Sequence, residues 1–357
     1  MRSCQRLSNK SVVAQLLLGA SLLLLTATTQ AQQSTRVAFG CCMDHSSRQE
    51  VWDAVNHAQP EVFVFLGNTL DVEADDMDAL LDAYEVFNRF RGPRVLRRGS
   101  AVMSVWNRTD YSISGHTGKT NPQRYAVRNH FLTFWREPAT SERLFQEHGI
   151  AKSVIFGNEP QRVQVIVLDG RWNRDELEQV GWMERQTRRF NADLGPYQPN
   201  RAGDLLGDKQ WQWLKGQLQK PAEVRILLSA TPVLAPANGY DSWSMFPKAQ
   251  DRLKSVLQEL QPSGLILGVG DRLFGEFSNA DDYLSYPLWQ VTAGSINLGS
   301  DTPYSSVYRD GQAYEESRYG QIEVIWKEQP ELVLTLRDVD GRPLDSRRLT
   351  LSELQSN

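Results

Sequence analysis

The sequence predicts an α/β fold, and three observations support this prediction. First, short apolar runs rich in β-branched and aromatic residues recur at 36–42, 62–67, 101–106, 162–169, 224–230, 264–271 and 288–294. Second, these runs are continuously apolar rather than alternating, which is typical of strands that are buried on both faces. Third, the segments between them space their apolar residues as a helix does and keep polar residues on the other side.

The elements can be assigned in order along the chain. Strands are predicted at the seven apolar runs, and helices are predicted between them at 47–58, 76–90, 129–136, 208–219 and 246–260. The end of the chain differs, because residues 320–351 contain two alternating runs around "EQPE" and a third after "VDGRP". This pattern predicts an antiparallel β meander that closes the sheet.

The first 31 residues are typical of a secretory signal peptide. Arg2, Arg6 and Lys10 precede an apolar run at 16–25, and small residues follow around Ala31. The run is short for a membrane span, although an uncleaved N-terminal anchor is the alternative interpretation. We therefore expect a signal peptide at 1–31 and a periplasmic or secreted protein without a membrane span after cleavage.

Composition favours one domain over residues 32–357. Hydrophobic residues make up 40% of the sequence, which is ample for a large core, and no linker, charge block or repeat divides the chain. Removal of residues 1–31 would move the formal charge from -4 to -7, because three basic and no acidic residues are lost. A mildly acidic surface argues against nucleic-acid binding.

Cys41 and Cys42 are the cysteines that remain after the signal peptide. Two adjacent cysteines cannot connect distant loops, so disulfides are not expected to hold the fold together. We expect buried thiols here rather than a zinc site, since zinc-binding cysteines are usually spaced by two to four residues.

Polar residues follow the predicted strands, where ligands of α/β proteins gather. A two-metal hydrolase would place Asp, Asn and His ligands at these points. The positions are Cys41, Cys42, Asp44, Asn68, Asp71, Asn107, Arg108, Thr109, Asp110, Asp169, Arg171, Asp271 and Arg272.

Nine stretches around these positions occur in a characteristic order between residues 36 and about 295: "FGCC", "FLGN", "VWNRTDY", "FWREP", "VIVLDGRW", "LLGDKQWQWL", "YDSWSMFP", "VGDRLFGE" and "LWQVTAGS". Together they resemble the PhoD-like family, which comprises alkaline phosphatase D and related metallophosphatases. The resemblance implies a layered α/β/β/α metallophosphatase sandwich. It also implies metal-dependent hydrolysis of phosphoesters by a two-metal site.

The sequence departs from the family pattern at the residues that would bind metal. Where the family has Gly-Asp-Asn-x-Tyr, Asn68 occupies the position of a metal-bridging Asp. Where the family has Trp-Asp-Asp-His-Asp-Tyr, residues 106–111 read "WNRTDY", so that Asn107, Arg108 and Thr109 replace two Asp and a His.

Two further family motifs are only partly kept. In Ser-Gly-Asp-Val-His-Phe, Asp271 is retained but Leu273 replaces the ligand His. In Gly-Ser-Cys, Cys42 corresponds to a cysteine that ligates iron in some members. If a metal is retained, the resemblance implies Cys42, Asn68, Asn107 and Asp271 as its ligands.

A working two-metal site needs carboxylates that hold two cations about 3.5 to 4 Å apart. The replacements remove anionic ligands and imidazoles, so the cofactor is expected to be either absent or an ion such as calcium, iron or manganese. The enzyme alternative therefore needs Asp44, Asp71 or Asp110 to supply the missing charge. The sequence leaves open whether the protein is an enzyme.

Arg108 and Arg272 add positive charge beside the positions where metals would lie. Guanidinium groups bind phosphate and carboxylate through paired hydrogen bonds, so we expect these two residues to bind a small anionic ligand or a phosphoester. The alternative is that they pair with Asp110, Asp271 or Glu276 and have no ligand.

The sequence-based hypothesis for function is an exported PhoD-like phosphatase or phosphodiesterase homologue that is catalytically impaired or inactive. It would bind a phosphate-type ligand or a partner in the former active-site cleft. One alternative is an active metal-dependent phosphoester hydrolase with an atypical metal site. Another is an envelope interaction protein that works through an exposed aromatic surface.

Overall fold

Strands form at all seven predicted apolar runs, and six more strands complete two sheets. The computed structural model describes residues 33–72, 77–111 and 118–356. The strands are β1 (Ser34–Gly40), β2 (Val62–Leu66), β3 (Ala101–Val105), β4 (Lys152–Phe156), β5 (Val163–Val167), β6 (Val224–Ser229), β7 (Leu265–Val269), β8 (Gly275–Ala280), β9 (Leu288–Ala293), β10 (Arg309–Tyr314), β11 (Tyr319–Ile325), β12 (Glu331–Arg337) and β13 (Pro343–Thr350).

Helices connect these strands. They are α1 (Val51–Ala58), α2 (Met77–Arg89), α3 (Arg91–Gly99), α4 (Arg124–Phe134), α5 (Trp182–Arg188), α6 (Gly207–Leu218) and α7 (Pro247–Leu260). Two of them, α3 and α5, lie outside the predicted segments. Helix α3 has a Gly-Pro pair in its first turn and buries only Pro93 and Leu96, and α5 buries none of its residues, so neither has the repeated apolar positions on which the helix predictions were based.

The first sheet has the order β13-β12-β11-β1-β2-β3. Strands β1, β2 and β3 are parallel neighbours, whereas β11, β12 and β13 form an antiparallel meander that pairs with β1 through β11. The burial of β2 explains why its sequence is continuously apolar. Phe63 and Phe65 pack against Trp52 of α1, and every residue of β2 is buried.

The second sheet has the order β10-β8-β9-β7-β6-β5-β4. Its centre is parallel from β5 through β6 and β7 to β9, and β4, β8 and β10 are antiparallel additions. These three strands were not predicted, because β4 has an exposed side and β8 and β10 are rich in polar residues.

The two sheets pack closely at their centres. Phe39 of β1 lies where a side chain at Gly268 of β7 or at Gly320 of β11 would clash, at 2.8 Å from each ideal Cβ position. Aromatic packing across the layers therefore depends on glycine at these two points. The prediction of a layered α/β fold is confirmed.

Residues Ser34–Asn357 make up one compact unit. The predicted signal peptide, residues 1–31, lies outside the described residues. Within the described residues, none of the helices has the length and apolar content that a bilayer crossing requires.

Candidate functional site

Asn68, Asn107 and Asp271 meet at the carboxyl ends of β2, β3 and β7. Asn68 follows Gly67, whose φ is +80° and whose hypothetical Cβ would lie 2.5 Å from the Asn107 backbone nitrogen. Any side chain at this position would therefore push the two strand ends apart. Gly67 permits the close approach that brings two amide side chains from the first sheet onto a carboxylate from the second.

Both amides turn their N–H groups toward Asp271. Its Oδ1 accepts hydrogen bonds from Asn68 Nδ2 at 2.8 Å and from Asn107 Nδ2 at 2.7 Å. The amide oxygens face other donors, since Asn68 Oδ1 accepts from the Thr109 backbone N–H at 3.2 Å and Asn107 Oδ1 accepts from Arg171 Nε at 2.8 Å. These donors determine the orientation of each amide, because a nitrogen there would face another donor.

Three residues at these strand ends have left-handed backbone conformations. The φ angles are 64° at Cys42, 48° at Asn68 and 65° at Asp271. Such conformations cost a non-glycine residue on the order of 1 kcal/mol or more, and asparagine is the most tolerant of the three. Strained backbone at the ends of β1, β2 and β7 is typical of a functional site.

The second sheet contributes the charge of the site. Asp241 Oδ2 accepts from Arg171 Nη2 at 2.8 Å, and Asp241 Oδ1 lies 2.8 Å from Arg174 Nη1. Both atoms of this second contact are buried, and neither forms a hydrogen bond with a described residue. The contact is therefore an ion pair without hydrogen-bond geometry. Arg272 donates to the carbonyl oxygens of Asp271 and Asp241, at 2.9 and 2.6 Å.

These contacts change the acidity of the two carboxylates in opposite directions. Burial and the nearby charge of Asp241 raise the pKa of Asp271, against the effect of Arg272 and Arg171. Burial also opposes ionisation of Asp241, but Arg174 and Arg171 outweigh it and lower the pKa of Asp241 to about 2. Asp241 is therefore the permanent anion of the site, and Asp271 is the carboxylate that protonates more readily.

Two other buried carboxylates near the site support the backbone. Asp110 accepts hydrogen bonds from the N–H groups of Thr69, Leu70 and Asn107, at 2.8 to 3.1 Å. Burial raises the pKa of Asp110 to about 6, although these N–H groups oppose the shift. The Asp169 carboxylate also accepts hydrogen bonds from backbone N–H groups.

Four donors surround the Asp169 carboxylate: Trp106 Nε1 and the backbone N–H groups of Ile150, Arg171 and Trp172. All four contacts are between 2.8 and 3.0 Å. Asp169 thus holds the loop after β5 in place and has little capacity left for a ligand.

The expectation of two free thiols at Cys41 and Cys42 was wrong. The structure joins them in a disulfide between adjacent residues, and both side chains are buried. The left-handed backbone at Cys42 accompanies this pairing. While the bond is closed, the Cys42 sulfur is not a thiolate and cannot ligate a metal.

The remaining predicted positions lie apart from this network. Arg108 is exposed and forms no ion pair with another described residue, and Leu273 packs partly buried against the core. Asp44 accepts from Ser46 at 2.9 Å in an exposed turn, and the Asp71 N–H donates to His45 Nδ1 at 3.1 Å. Within residues 33–72, 77–111 and 118–356, three or more His, Cys, Asp or Glu side chains nowhere converge on a possible metal position.

The alternative pairing of Arg272 is seen in part. Arg272 Nη1 lies 3.4 Å from Asp271 Oδ2, whereas Glu276 pairs with Arg309 at 2.5 Å. Arg174 and Asp241 were not identified from the sequence. The available signal for Asp241 was its place in "YDSW" after β6, and for Arg174 it was the arginine three residues after Arg171.

Solved structures with the same fold are found, although their sequences have diverged. The structure of PhoD matches with a TM-score of 0.61 and 13% identity, over 89% of this chain and 68% of that chain. GAP50, the anchor in the inner membrane complex of Plasmodium, matches with a TM-score of 0.52 and 11% identity, over 89% of each chain.

A dimetal phosphatase from Danio rerio also matches, with a TM-score of 0.52 and 16% identity, over 88% of this chain and 99% of that chain. No protein-family model matches the sequence, and the search of curated proteins gave no match. At identities this low, the similarity establishes a metallophosphatase-like fold and nothing finer.

Proposed function

We propose that this chain is an exported, catalytically impaired relative of phosphatases and phosphodiesterases that binds a phosphate-type anion in the former active-site cleft. The observation that carries the proposal is the charge at the strand ends. Arg171, Arg174 and Arg272 contribute three positive charges, which face the carboxylates of Asp241 and Asp271. The other two carboxylates near the site, Asp110 and Asp169, are bound by N–H groups and do not pair with these guanidinium groups. Such a cluster attracts an anion rather than two divalent cations.

The orientation of the amides supports the same proposal. An amide side chain ligates a metal through its oxygen, yet Asn68 and Asn107 present their N–H groups to Asp271 and direct their oxygens to other donors. A metal pair of the kind named for the dimetal phosphatase therefore does not fit these residues. We assign no chemical step to a metal.

The anion would contact the guanidiniums that reach the cleft. Arg272 is 7% exposed and Arg171 is 6% exposed, so each presents only an edge, and Arg108 is exposed at the same strand ends. Arg171 uses Nε and Nη2 within the network, which leaves Nη1 free of a hydrogen bond to any described residue. Nη1 carries two N–H groups, and such donors suit the oxygens of a phosphate.

Binding and turnover can be measured on the same preparation. Isothermal titration of the purified protein with inorganic phosphate should give saturable binding. Hydrolysis of a phosphomonoester and a phosphodiester should stay at background with added manganese, calcium or iron. Arg272→Gln should weaken phosphate binding at least tenfold, whereas Arg252→Gln, which removes an arginine paired with the exposed Asp208, should not.

Two results would refute this proposal. Two tightly bound metal ions together with turnover that Asp271→Ala abolishes would establish an active hydrolase with an atypical site. Absence of phosphate binding in the folded protein would refute the anion site itself. Circular dichroism of each variant would separate loss of binding from loss of fold.

An interaction function is a second candidate, because one surface segment exposes many apolar side chains. Trp182, Met183, Phe190 and Leu194 are 70, 75, 94 and 38% exposed, and all lie within 13 residues. Polar contacts hold this segment in place, including the Asp193 carboxylate with the Ser305 N–H at 2.7 Å. GAP50, the anchor in the inner membrane complex of Plasmodium, has a similar fold.

This surface is close to the cleft rather than remote from it, since Ala192 of the same segment lines the cavity beside Arg272. Analytical ultracentrifugation of wild type and of a Trp182→Ser/Phe190→Ser double variant would test it. Self-association that the double variant abolishes would favour an interaction function. If the wild type and the double variant are both monomeric, the exposed segment does not support an interaction function.

A further inference from the structure

A cavity of about 280 Å³ lies beside the candidate anion site. Its lining includes the rings of Tyr240, Phe274 and Tyr304 and the polar residues Asp301 and Thr302, and Arg272 forms one wall. Arg272 therefore belongs both to this cavity and to the network around Asp271. A ligand whose anionic group is held at Arg272 would have its organic part within reach of the cavity.

The aromatic residues of this cavity are arranged as a stacking surface. The rings of Tyr240 and Tyr304 are nearly parallel, with an interplanar angle of 16° and centroids 5.7 Å apart. Phe274 meets Tyr304 edge-on at 5.6 Å. The Tyr304 hydroxyl accepts from Arg272 Nε at 3.1 Å, so the ring and the guanidinium are positioned together.

We propose that this cavity binds an aromatic ring attached to the phosphate-type group, so that the ligand is an aryl phosphate or a close analogue. The inference rests on the proposed anion site and specifies its ligand. The phosphate would contact Arg272, and the ring would lie against the Tyr240–Tyr304 pair.

Size and charge together determine this assignment. A cavity of 280 Å³ lies at the small end of ligand pockets, which suits one ring rather than a large organic group. The tyrosines already stack on each other, so the ligand's ring would extend the stack at one side. Asp301 lines the same cavity and carries the opposite charge from Arg272, so a phosphate is favoured at Arg272 and disfavoured beside Asp301.

Three small ligands and two matched variants test the inference. In calorimetric titrations, phenyl phosphate should bind about fivefold more tightly than methyl phosphate and than cyclohexyl phosphate, which has similar bulk but no π system. Tyr240→Leu should abolish the preference, and Tyr240→Phe should keep it. Both variants lose the hydrogen bond from the Tyr240 hydroxyl to the Ala192 carbonyl, so they differ only in the ring.

The possible failures are distinguishable. Equal affinity for phenyl, cyclohexyl and methyl phosphate would refute the aromatic subsite while leaving the anion site intact, and so would a preference that survives Tyr240→Leu. Failure of all three ligands and of inorganic phosphate to bind would refute the proposed function as well. Phe145→Ala, at an exposed ring that does not line this cavity, should leave the preference unchanged.

Discussion

The two sheets contribute different chemistry to the same site. Strand ends of the first sheet supply neutral groups, the amides of Asn68 and Asn107, and one carboxylate, Asp110, that is bound by backbone N–H groups. Loops of the second sheet supply the charged groups. Those residues are Arg171, Arg174, Asp241, Asp271 and Arg272.

The difference shows how the neutral and the charged groups of the site are divided between the two sheets of a metallophosphatase-like fold. Neutral amides from the first sheet hold Asp271 by hydrogen bonds, which are worth about 1 kcal/mol each when neutral and more to a charged group. Guanidiniums from the second sheet then supply positive charge. Perturbing one sheet at a time should therefore have distinct consequences for stability and for binding.

The largest effect is expected from the second sheet, in the variant Asp241→Ala. Its loss would leave Arg171 and Arg174 buried without their carboxylate, and removal of one partner from a buried ion pair costs about 3 to 5 kcal/mol. The free energy of unfolding, measured by urea denaturation at pH 7, should fall by this amount. Asp208→Ala removes an exposed carboxylate paired with Arg252 and should cost less than about 1 kcal/mol.

The next largest effect is a change of folding stability with pH, and it comes from Asp110 of the first sheet. The pKa of Asp110 is raised from 3.8 to about 6, so between these values the folded state holds a proton that the unfolded state has released. Stability from this group is present below pH 3.8 and is lost as the pH rises through 6. The shift corresponds to about 3 kcal/mol.

Asp110→Asn removes this titrating group, so the stability of the wild type can be compared with that of the variant across pH. The difference in unfolding free energy between wild type and the variant should decline by about 3 kcal/mol from pH 3.8 to pH 6. Asp241 has the opposite behaviour, because its pKa is lowered, and its contribution is lost only as the pH falls from 3.8 toward 2. Parallel profiles for wild type and Asp110→Asn would show that the N–H groups cancel the effect of burial, so that the pKa of Asp110 is the same in the folded and unfolded states.

A smaller effect is expected where the two sheets meet, in Asn68→Asp. The substitution replaces an N–H donor by a carboxylate oxygen beside Asp271, so the two like charges repel. We expect a loss of about 2 kcal/mol in unfolding free energy at pH 7, and less at pH 5, where one proton can be shared. Asn68→Ala, which removes the donor without adding charge, should show a weaker pH dependence, because it raises the pKa of Asp271 but adds no second carboxylate.

Much of the architecture could be predicted from the sequence, because its signals are local. The run at 62–67 is apolar at every position, and β2 is buried on both faces. The alternating runs after Gly320 became the meander of β11, β12 and β13. Strand β10 is polar and pairs only along one edge, so its stability comes from tertiary contacts that leave no periodic pattern.

The candidate site was only partly accessible to sequence reasoning. Strand-end position and family resemblance pointed to Asn68, Asn107 and Asp271, and these three side chains do contact one another. The pairing of Arg174 with Asp241 joins residues 67 positions apart in two loops, and no local pattern encodes it. The Cys41–Cys42 disulfide is not predicted by an argument that considers only links between distant loops and the spacing of zinc ligands, because the bond joins neighbouring residues.

The smallest effect on stability should come from Arg108→Gln, and this variant separates stability from binding most cleanly. Arg108 is exposed and pairs with no other described residue, so its removal should change the unfolding free energy by less than about 0.5 kcal/mol. If Arg108 contacts the anion, phosphate affinity should still fall severalfold, and the loss should shrink at high salt because an exposed charge is screened. Unchanged affinity in Arg108→Gln, together with a large loss in Arg272→Gln, would assign anion binding to the second sheet alone.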